Sequence, residues 1–489
     1  MEVKEQTMQT LDIIIIVAYF VGILVIGFVA GKKQKGFDDY FLGGKSMGAL
    51  TIGCLWMAGW IGGSSVSGTA SYGYSMGVTG IWYVLSITIG ILIFGFTMTV
   101  PVKKVSNKIN NITIPDLMEA RYDSKTRIVT TITVFLATIG FVSSQFVVGA
   151  SALNVLTGWS LGKCYIVTAT TITVYVALGG LLAVTYTDAI QMILLLGGVV
   201  ICGVPIAISA LKASGQTLAT ALPASYFKLG ERGWENIISL GVSTSISFFT
   251  MSDSYTRCIS AKSAKTAKRG ALVAAGAVLI IAFSCTFLGM AAKAILPEEV
   301  TANNALASVI VNIFPSGLKA LALVGILSAV MSTADISILI ASTSVTKDIV
   351  MRYINPRFNE KKAVVLGFVV AIVVGAVACW FGWYCNDVVS IINLTYTVNS
   401  SGLFIPIICA FFWNKGCSDG AFASILSAII IIFGWYILGQ TTDLALFKTS
   451  ALWPALFTSM VLFFGISLIH KKSDEEIKKS EYFIAASKE

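Results

Sequence analysis

Trp60-Ile61-Gly62-Gly63-Ser64-Ser65-Val66-Ser67-Gly68 lies inside an otherwise apolar run, residues 48–76, and its reading decides the fold. Glycine and serine are poor helix formers, and at mid-membrane depth they favour unwinding. Unwound backbone is tolerated in a bilayer only where its carbonyls line a cavity or hold an ion. The plainer use of the same composition is close packing of small residues against a neighbouring helix. A second interrupted stretch, Ser243-Thr244-Ser245-Ile246-Ser247-Phe248-Phe249-Thr250, falls in a later apolar run. If the first span is accessory, spans 2–6 and 7–11 form two five-helix halves, each opened by a broken segment. That arrangement is the mark of an inverted-repeat secondary transporter with its site at the repeat interface.

The membrane frame follows from composition. The 489-residue chain is 56% hydrophobic and 12% charged, against about 25% charged in soluble domains, and its mean hydropathy is +0.83. These values exclude soluble enzymes, nucleic-acid binders and secreted disulfide scaffolds. A hydrocarbon core about 30 Å thick needs roughly 20 apolar helical residues. Spans are predicted near 11–31, 48–76, 78–102, 127–156, 162–179, 183–212, 235–256, 268–294, 317–346, 362–384, 386–412, 418–439 and 450–470, thirteen in all. Residues 297–316, with two prolines, read as a surface helix and turn.

The net charge of +9 is a matter of topology rather than of nucleic acid. With the loop after the first span placed in the cytoplasm, 26 of the 34 Lys and Arg residues fall on that side. The positive-inside rule then sets the N-terminus outside and the C-terminus in the cytoplasm of a plasma-membrane protein. The polar start Met1–Thr10 leads straight into a span, so no cleavable signal peptide is expected. The tail Lys471–Glu489 reads as a solvated mixed-charge end. Nine cysteines without CxxC spacing read as buried, reduced packing residues, and the single histidine, His470, excludes a multi-histidine metal site.

Intramembrane carboxylates are costly and mark functional hypotheses. Three are expected: Asp188, Asp253 and Asp335. Asp253 lies four residues before Arg257, so an i,i+4 ion pair is its structural reading. Asp188 and Asp335 have no basic residue within a helical turn and are read as a cation or proton site. Asp335 closes a hydroxyl cluster, Ser328-Ala329-Val330-Met331-Ser332-Thr333-Ala334-Asp335. A mid-helix Ser or Thr usually bonds the carbonyl one turn back, but two in a row beside an intramembrane carboxylate suit a small hard cation.

At these residues the chain resembles the sodium:solute symporter family, which has the LeuT-type fold. The likeness runs over about residues 38–430 and rests on motifs in order. These are Asp39-Tyr40-Phe41-Leu42-Gly43-Gly44-Lys45-Ser46, Thr113-Ile114-Pro115-Asp116 with Arg121-Tyr122, and Gly179-Gly180-Leu181-Leu182-Ala183-Val184-Thr185-Tyr186-Thr187-Asp188-Ala189-Ile190-Gln191. Arg257-Cys258-Ile259-Ser260-Ala261-Lys262 and Phe412-Trp413-Asn414-Lys415 with Gly420-Ala421 follow. The resemblance implies an all-α polytopic membrane protein with a five-plus-five inverted repeat, one N-terminal and two C-terminal accessory helices. It is read as one transporter domain over 1–489: 11–47 accessory first helix and loop, 48–256 first repeat and start of the second, 235–412 second repeat, 413–470 accessory helices, 471–489 cytoplasmic tail.

The resemblance also implies a central Na⁺ site made by the carbonyls of Ala58, Ile61 and Ala329 and the hydroxyls of Ser332 and Thr333. Some members bind a second Na⁺ between the residue matching Asp188 and paired serines on the eighth core helix. This chain reads Asp335-Ile336 there, so a second Na⁺ is absent, is held by two carboxylates, or is replaced by a proton. Gly59-Trp60-Ile61-Gly62-Gly63, Gly68-Thr69-Ala70 and Met331-Ser332-Thr333-Ala334-Asp335 look most like the choline-transporter branch. That branch cages a quaternary ammonium with aromatic faces. Only Trp60 matches the cage; the other positions read Ile89, Gln145 and Met251.

The expected function is therefore Na⁺-coupled uptake of a small organic solute by alternating access. Solute is expected near Trp60, Ser64, Ser65, Gln145, Phe248, Phe249, Met251 and Asp253. A zwitterion or amine such as an amino acid comes first, a sugar, polyol or monocarboxylate second. A non-transporting sensor competes, although only 19 residues follow His470. A membrane enzyme lacks a histidine cluster, a GxSxG motif or a paired-carboxylate site with a nucleophile.

Overall fold

Backbone N–H and C=O groups in hydrocarbon must bond within their own segment, so a chain of this composition has to be helical. The computed structural model describes residues 9–31, 47–109, 113–296, 300–355, 359–385 and 387–488; among these the only β contact is one bridge, Met47 to Ala261. Nine helices among the described residues are long and apolar enough to cross a membrane, and shorter apolar helices join them. Among the described residues the main buried apolar cluster runs from Ile16 to Ala486, and a smaller one gathers Val398, Ala428, Ile432 and Ala455.

Helix α1 (Thr10–Gly31) shows how one span meets both lipid and protein. Asp12, Ile16, Tyr19 and Ile23 are buried at spacings of four, three and four, while Leu11, Ile13, Ile14, Val17 and Val21 are exposed. The run expected at 48–76 is two helices, α2 (Ala49–Trp60) and α3 (Gly63–Met76). Gly77, at φ +73°, ends α3 in a conformation that suits glycine and turns the chain through Gly77–Ile81 into α4 (Trp82–Thr97). The chain continues through α5 (Thr99–Ile109), α6 (Ile114–Arg121), α7 (Ser124–Thr157) and α8 (Leu161–Leu195). A π-helical stretch, Leu196–Cys202, leads into α9 (Gly203–Ala213).

The spans expected at 162–179 and 183–212 are not separated by a non-helical break, since α8 is helical throughout. Thr168 and Val330 both lie against Gly149, whereas Gln191 is joined through Tyr19 to Ser328, two residues from Val330.

The second interrupted stretch is also two helices, α10 (Trp234–Ser247) and α11 (Ser252–Ser260). Next come α12 (Ala264–Ile295), the short α13 (Ala305–Ile313) where a surface helix was expected, and α14 (Leu318–Thr343), continued by π-helical Ser344–Ile354. The remaining helices are α15 (Glu360–Cys385), α16 (Val388–Phe412), α17 (Ser418–Thr441), α18 (Leu452–Ile469) and α19 (Asp474–Lys488). Helix α14 is buried along nearly all of its length and forms the centre of the molecule. The tail read as a solvated end is instead the docked helix α19. Its Phe483 is fully buried against Phe411, with ring centroids 5.2 Å apart, and Ser480 donates to the Asn414 carbonyl.

Candidate functional site

The first break lies at Ile61 (ψ 73°) and Gly62 (ψ 177°), where the helical hydrogen-bond ladder is interrupted. Neighbouring side chains take up the freed groups. The Ser65 hydroxyl donates to the Trp60 carbonyl at 2.9 Å. Gln145, fully buried on α7, accepts from the Ser64 amide at 3.4 Å and donates to the Ser64 hydroxyl at 2.8 Å. Gly62 is required by close approach: a Cβ there would lie 2.5 Å from the Thr333 hydroxyl and 2.8 Å from Gln145 Oε1. Helices α7 and α14 thus press directly on the broken backbone.

Across this contact four of the five expected ion ligands, all but the Ile61 carbonyl, converge. Thr333 Oγ1 donates to the Ala58 carbonyl at 2.8 Å, and Ser332 Oγ lies 3.3 Å from the Ala58 oxygen and 3.2 Å from the Ala329 oxygen. Two hydroxyls and two carbonyls, all buried and all hard oxygen, fit a small monovalent cation. Among the described residues no cluster of His, Cys, Asp and Glu has the makings of a transition-metal site.

The second break, Phe248 to Met251, stands beside the first. Trp60 stacks on Phe248 with ring centroids 3.5 Å apart and 15° between planes, and lies near-parallel to Tyr396 at 6.3 Å. Phe249 points elsewhere, edge-on to Phe94 and Phe404, each at 5.6 Å. Met251 is half-buried and precedes the start of α11. Asp253 is ion-paired with Arg257 at 2.7 Å, both buried, and its carboxylate lies against the backbone at Gly59. Ile89, aligned to an aromatic cage position, is 40% exposed and faces away, while its neighbour Gly90 lies against the Phe248 ring. A cavity of about 590 Å³ opens from Arg232, Asp387 and Gln440 down to Ser243 and Thr397, next to the second break and Tyr396.

Asp188 and Asp335 are fully buried. The Asp188 carboxylate makes no hydrogen bond among the described residues and lies within electrostatic reach of Arg257 and Asp253 on α11. Sequence reasoning missed Asn399 on α16, whose amide donates to the Thr250 hydroxyl at 2.7 Å while its buried Oδ1 has no hydrogen-bond partner among the described residues. The available signal was an amide inside an apolar span.

Arg121 explains two of the quoted motifs. It is buried and donates to the carbonyls of Ala410, Trp413 and Gly416, which ties the end of α6 to the end of α16. Thr113 and Asp116 form a capping box at the start of α6. Asp116 then joins Arg127, Glu119, Lys347 and Asp348 in one ion-pair network at the basic end of the molecule. Burial pushes the Glu119 carboxyl up, but hydrogen bonds from Ser124, Arg352 and Arg127 outweigh it and hold the group below its ordinary range. Met47 accepts from Lys262 and donates to Ser260, so the Arg257–Lys262 motif is paired with the approach to α2. Motif residues Asp39–Ser46 lie outside the described residues. All nine cysteines are free thiols, five of them buried.

The family model for the sodium:solute symporter family matches residues 40–428. The chain is 26% identical to the sodium/pantothenate symporter of Escherichia coli (strain K12), over 93% of this chain and 96% of that one. It is also 26% identical to the sodium/proline symporter of Haemophilus influenzae, over 94% of each. Among solved structures it is similar to a Na⁺-coupled sialic acid symporter in a substrate-bound outward-open state (TM-score 0.75, 20% identity, 95% of this chain and 98% of that one). It is less similar to Mhp1, a nucleobase-cation-symport-1 family transporter in a closed conformation (TM-score 0.57, 15% identity, 91% and 98%).

Proposed function

The chain belongs to the sodium:solute symporter family and is a multi-pass membrane protein that couples Na⁺ to a small organic solute, and on that premise we propose that the solute is a zwitterion or amine of amino-acid size. The observation that carries the reading is the aromatic stack of Trp60, Phe248 and Tyr396 between two helix N-termini, those of α3 and α11. An aromatic face attracts an ammonium, and a helix N-terminus favours a carboxylate. Arg257, the cation nearest the breaks, is already neutralised by Asp253, which argues against a strongly anionic solute. The proline named for the Haemophilus relative is a zwitterion of this class. A sugar, polyol or monocarboxylate is the second reading, supported by the polar edge that Ser64, Ser65 and Gln145 present.

In this reading Na⁺ is held by Ala58, Ile61, Ala329, Ser332 and Thr333. The ion replaces the hydroxyl protons now directed at Ala58 and draws α14 onto the broken helix, favouring the outward-open state. Solute then binds at Trp60, Ser64, Ser65, Gln145, Phe248, Phe249, Met251 and Asp253, with Asn399 added. Asp188 and Asp335 carry a second cation, either Na⁺ or a proton. The cavity above Ser243 is the external approach, and the Arg127 network lies in the cytoplasm with the C-terminus of a thirteen-span plasma-membrane protein. Thermal stabilisation of the purified protein by a panel of amino acids, amines, polyols and monocarboxylates, with and without Na⁺, tests the solute class. Na⁺-dependent stabilisation by a polyol and by no zwitterion or amine overturns it, and absence of Na⁺-dependent uptake into proteoliposomes for every stabilising solute favours a sensor.

A further inference from the structure

Tyr19 stands out because it belongs to α1, outside the two five-helix halves, yet its hydroxyl reaches the centre of the molecule. The ring is buried on the inward stripe of α1. Its oxygen accepts two hydrogen bonds from two different helices: Ser328 of α14 at 3.0 Å and Gln191 of α8 at 3.2 Å. Its own proton is directed at the Met331 thioether, 3.6 Å away, a weak acceptor. Gln191 is fully buried, and its Oε1 makes no hydrogen bond among the described residues. The phenol oxygen is thus the shared acceptor that links α8 to α14 at this depth.

Ser328 lies one helical turn before Ser332, and Met331 is adjacent to it, so the contact sits directly beneath the proposed Na⁺ hydroxyls. A second contact fixes the same pair of helices at their ends. The buried Asp12 carboxylate accepts from the Gly317 amide at 2.7 Å, immediately before α14 begins. Helix α1 therefore holds α14 at two points, one at its start and one a turn short of the ion ligands. Lipid packing alone asks for neither, because an accessory span needs only an apolar face.

We propose that Tyr19 is a positioning residue for the central Na⁺ site: by joining Ser328 to Gln191 it sets the place of α14 and with it the Ser332 and Thr333 hydroxyls. The proposal rests on the assignment of those hydroxyls as Na⁺ ligands. Partners behind the ligands of a metal site commonly change its affinity tenfold or more when removed. Here the effect passes through a helix turn, and a smaller change is expected.

The test measures Na⁺ half-saturation of uptake, solute affinity at saturating Na⁺ and melting temperature in Tyr19→Phe, Ser328→Ala, the double variant and Ser332→Ala. Tyr19→Phe keeps the ring and its packing and removes only the oxygen. It should raise half-saturating Na⁺ about three- to tenfold while leaving solute affinity at saturating Na⁺ unchanged. The double variant should be no worse than the more affected single, because both act on one contact. A lowered melting temperature with wild-type Na⁺ dependence would make Tyr19 packing alone and overturn the proposal, as would additive losses in the double variant. If Ser332→Ala itself leaves Na⁺ dependence unchanged, Ser332 is not a ligand and the proposal falls with it; if Ser332→Ala weakens Na⁺ and Tyr19→Phe does not, only the role of Tyr19 is lost. Should Tyr19→Phe not fold, Gln191→Leu removes the other arm of the bridge and carries the same expectation.

Discussion

The Thr333 hydroxyl donates to the Ala58 carbonyl at 2.8 Å, joining residues 275 positions apart across the interface of the two halves. The acceptor is one of the carbonyls released by the break in the first core helix, and the donor sits on the most buried helix of the protein. A cation bound there would take both oxygens as ligands while the hydroxyl proton turns away from Ala58. Thr333→Ala or Ser332→Ala removes one oxygen from the set. The loss of a charge-assisted contact of roughly 1.5–3 kcal/mol should raise half-saturating Na⁺ about tenfold or more, read from uptake against Na⁺ concentration. Unchanged half-saturation in both variants would sink the assignment.

Asp335 has a different expected signature. If it helps to carry a second cation, Asp335→Asn should lower the charge moved per solute by one while half-saturation at the central site stays the same. The reversal potential of solute flux in proteoliposomes reads that ratio. A proton as the second ion adds loss of pH dependence in the same variant, whereas Na⁺ adds a fall in the Hill coefficient. A variant with the wild-type ratio makes Asp335 structural.

Trp60 separates recognition of an ammonium from simple filling of the break. Its ring lies on Phe248 at 3.5 Å, so Trp60→Phe keeps an aromatic face in the stack and Trp60→Leu does not. For an amine or zwitterion, Phe should keep part of the solute affinity and Leu should lose most of it, a difference of about 0.5–2 kcal/mol. Na⁺ affinity should be preserved in both. Calorimetry of solute and Na⁺ binding makes the comparison, and equal solute binding by the two variants removes the main support for the amine class.

At the basic end Arg127 bonds Asp348 at 2.6 Å, with 5% of the arginine side chain exposed and none of the aspartate. Arg127→Met should leave Asp348 buried without its partner and cost about 3–5 kcal/mol of stability. Asp348→Asn in that background should recover much of the loss. Melting temperatures of the two single variants and the double variant check it; a double variant no better than Arg127→Met shows that the pair is not the source.

The docking of α19 should depend on pH. Burial raises the Glu476 carboxyl, but amide donation from Ser473 and Ser418, with His470 alongside, overrides it and holds the group down at about 2 against an ordinary 4.5. A depressed carboxyl contributes stability that is present above its unfolded value and lost as pH falls through its folded one. Protease resistance of α19 should therefore be full above about pH 4.5 and decline from there towards pH 2. Glu476→Gln should be less protected at neutral pH and flat across that window; a variant that still shows the decline places the titrating group elsewhere.

Both broken helices were legible in the sequence because Gly and Ser runs have little other business in hydrocarbon. That Ser332 and Thr333 would face the broken helix was legible for a related reason, since adjacent hydroxyls beside a carboxylate are expensive to bury without a task. Asp253 was readable as an ion pair from the i,i+4 rule alone. What stayed hidden was carried by single residues. Tyr19, Asn399 and Arg121 acquire their roles only through partners hundreds of positions away, and periodicity assigns each merely to an inward face. Ile89 was misplaced because an ungapped alignment carries no facing, and one residue along α4 rotates a side chain by about 100°. The tail looked solvated because its charges outnumber its apolar residues, yet Phe483 packs on Phe411 and Ser480 and Glu476 bond the chain beside it.

The distance in sequence between Ala58 and Thr333 has a consequence for how the protein is made. During synthesis the Trp60–Gly68 segment enters the bilayer long before the helix that satisfies it exists. At about 5–20 residues per second, roughly 15–55 s separate the two. Over that interval the open carbonyls have no partner on α14, and hydrocarbon supplies none. The insertion machinery, or a shell of water retained beside it, must shelter the nascent first half until α14 arrives. Slowing translation between the codons for residues 70 and 320 should thus increase degradation of this chain more than the same delay placed after residue 345.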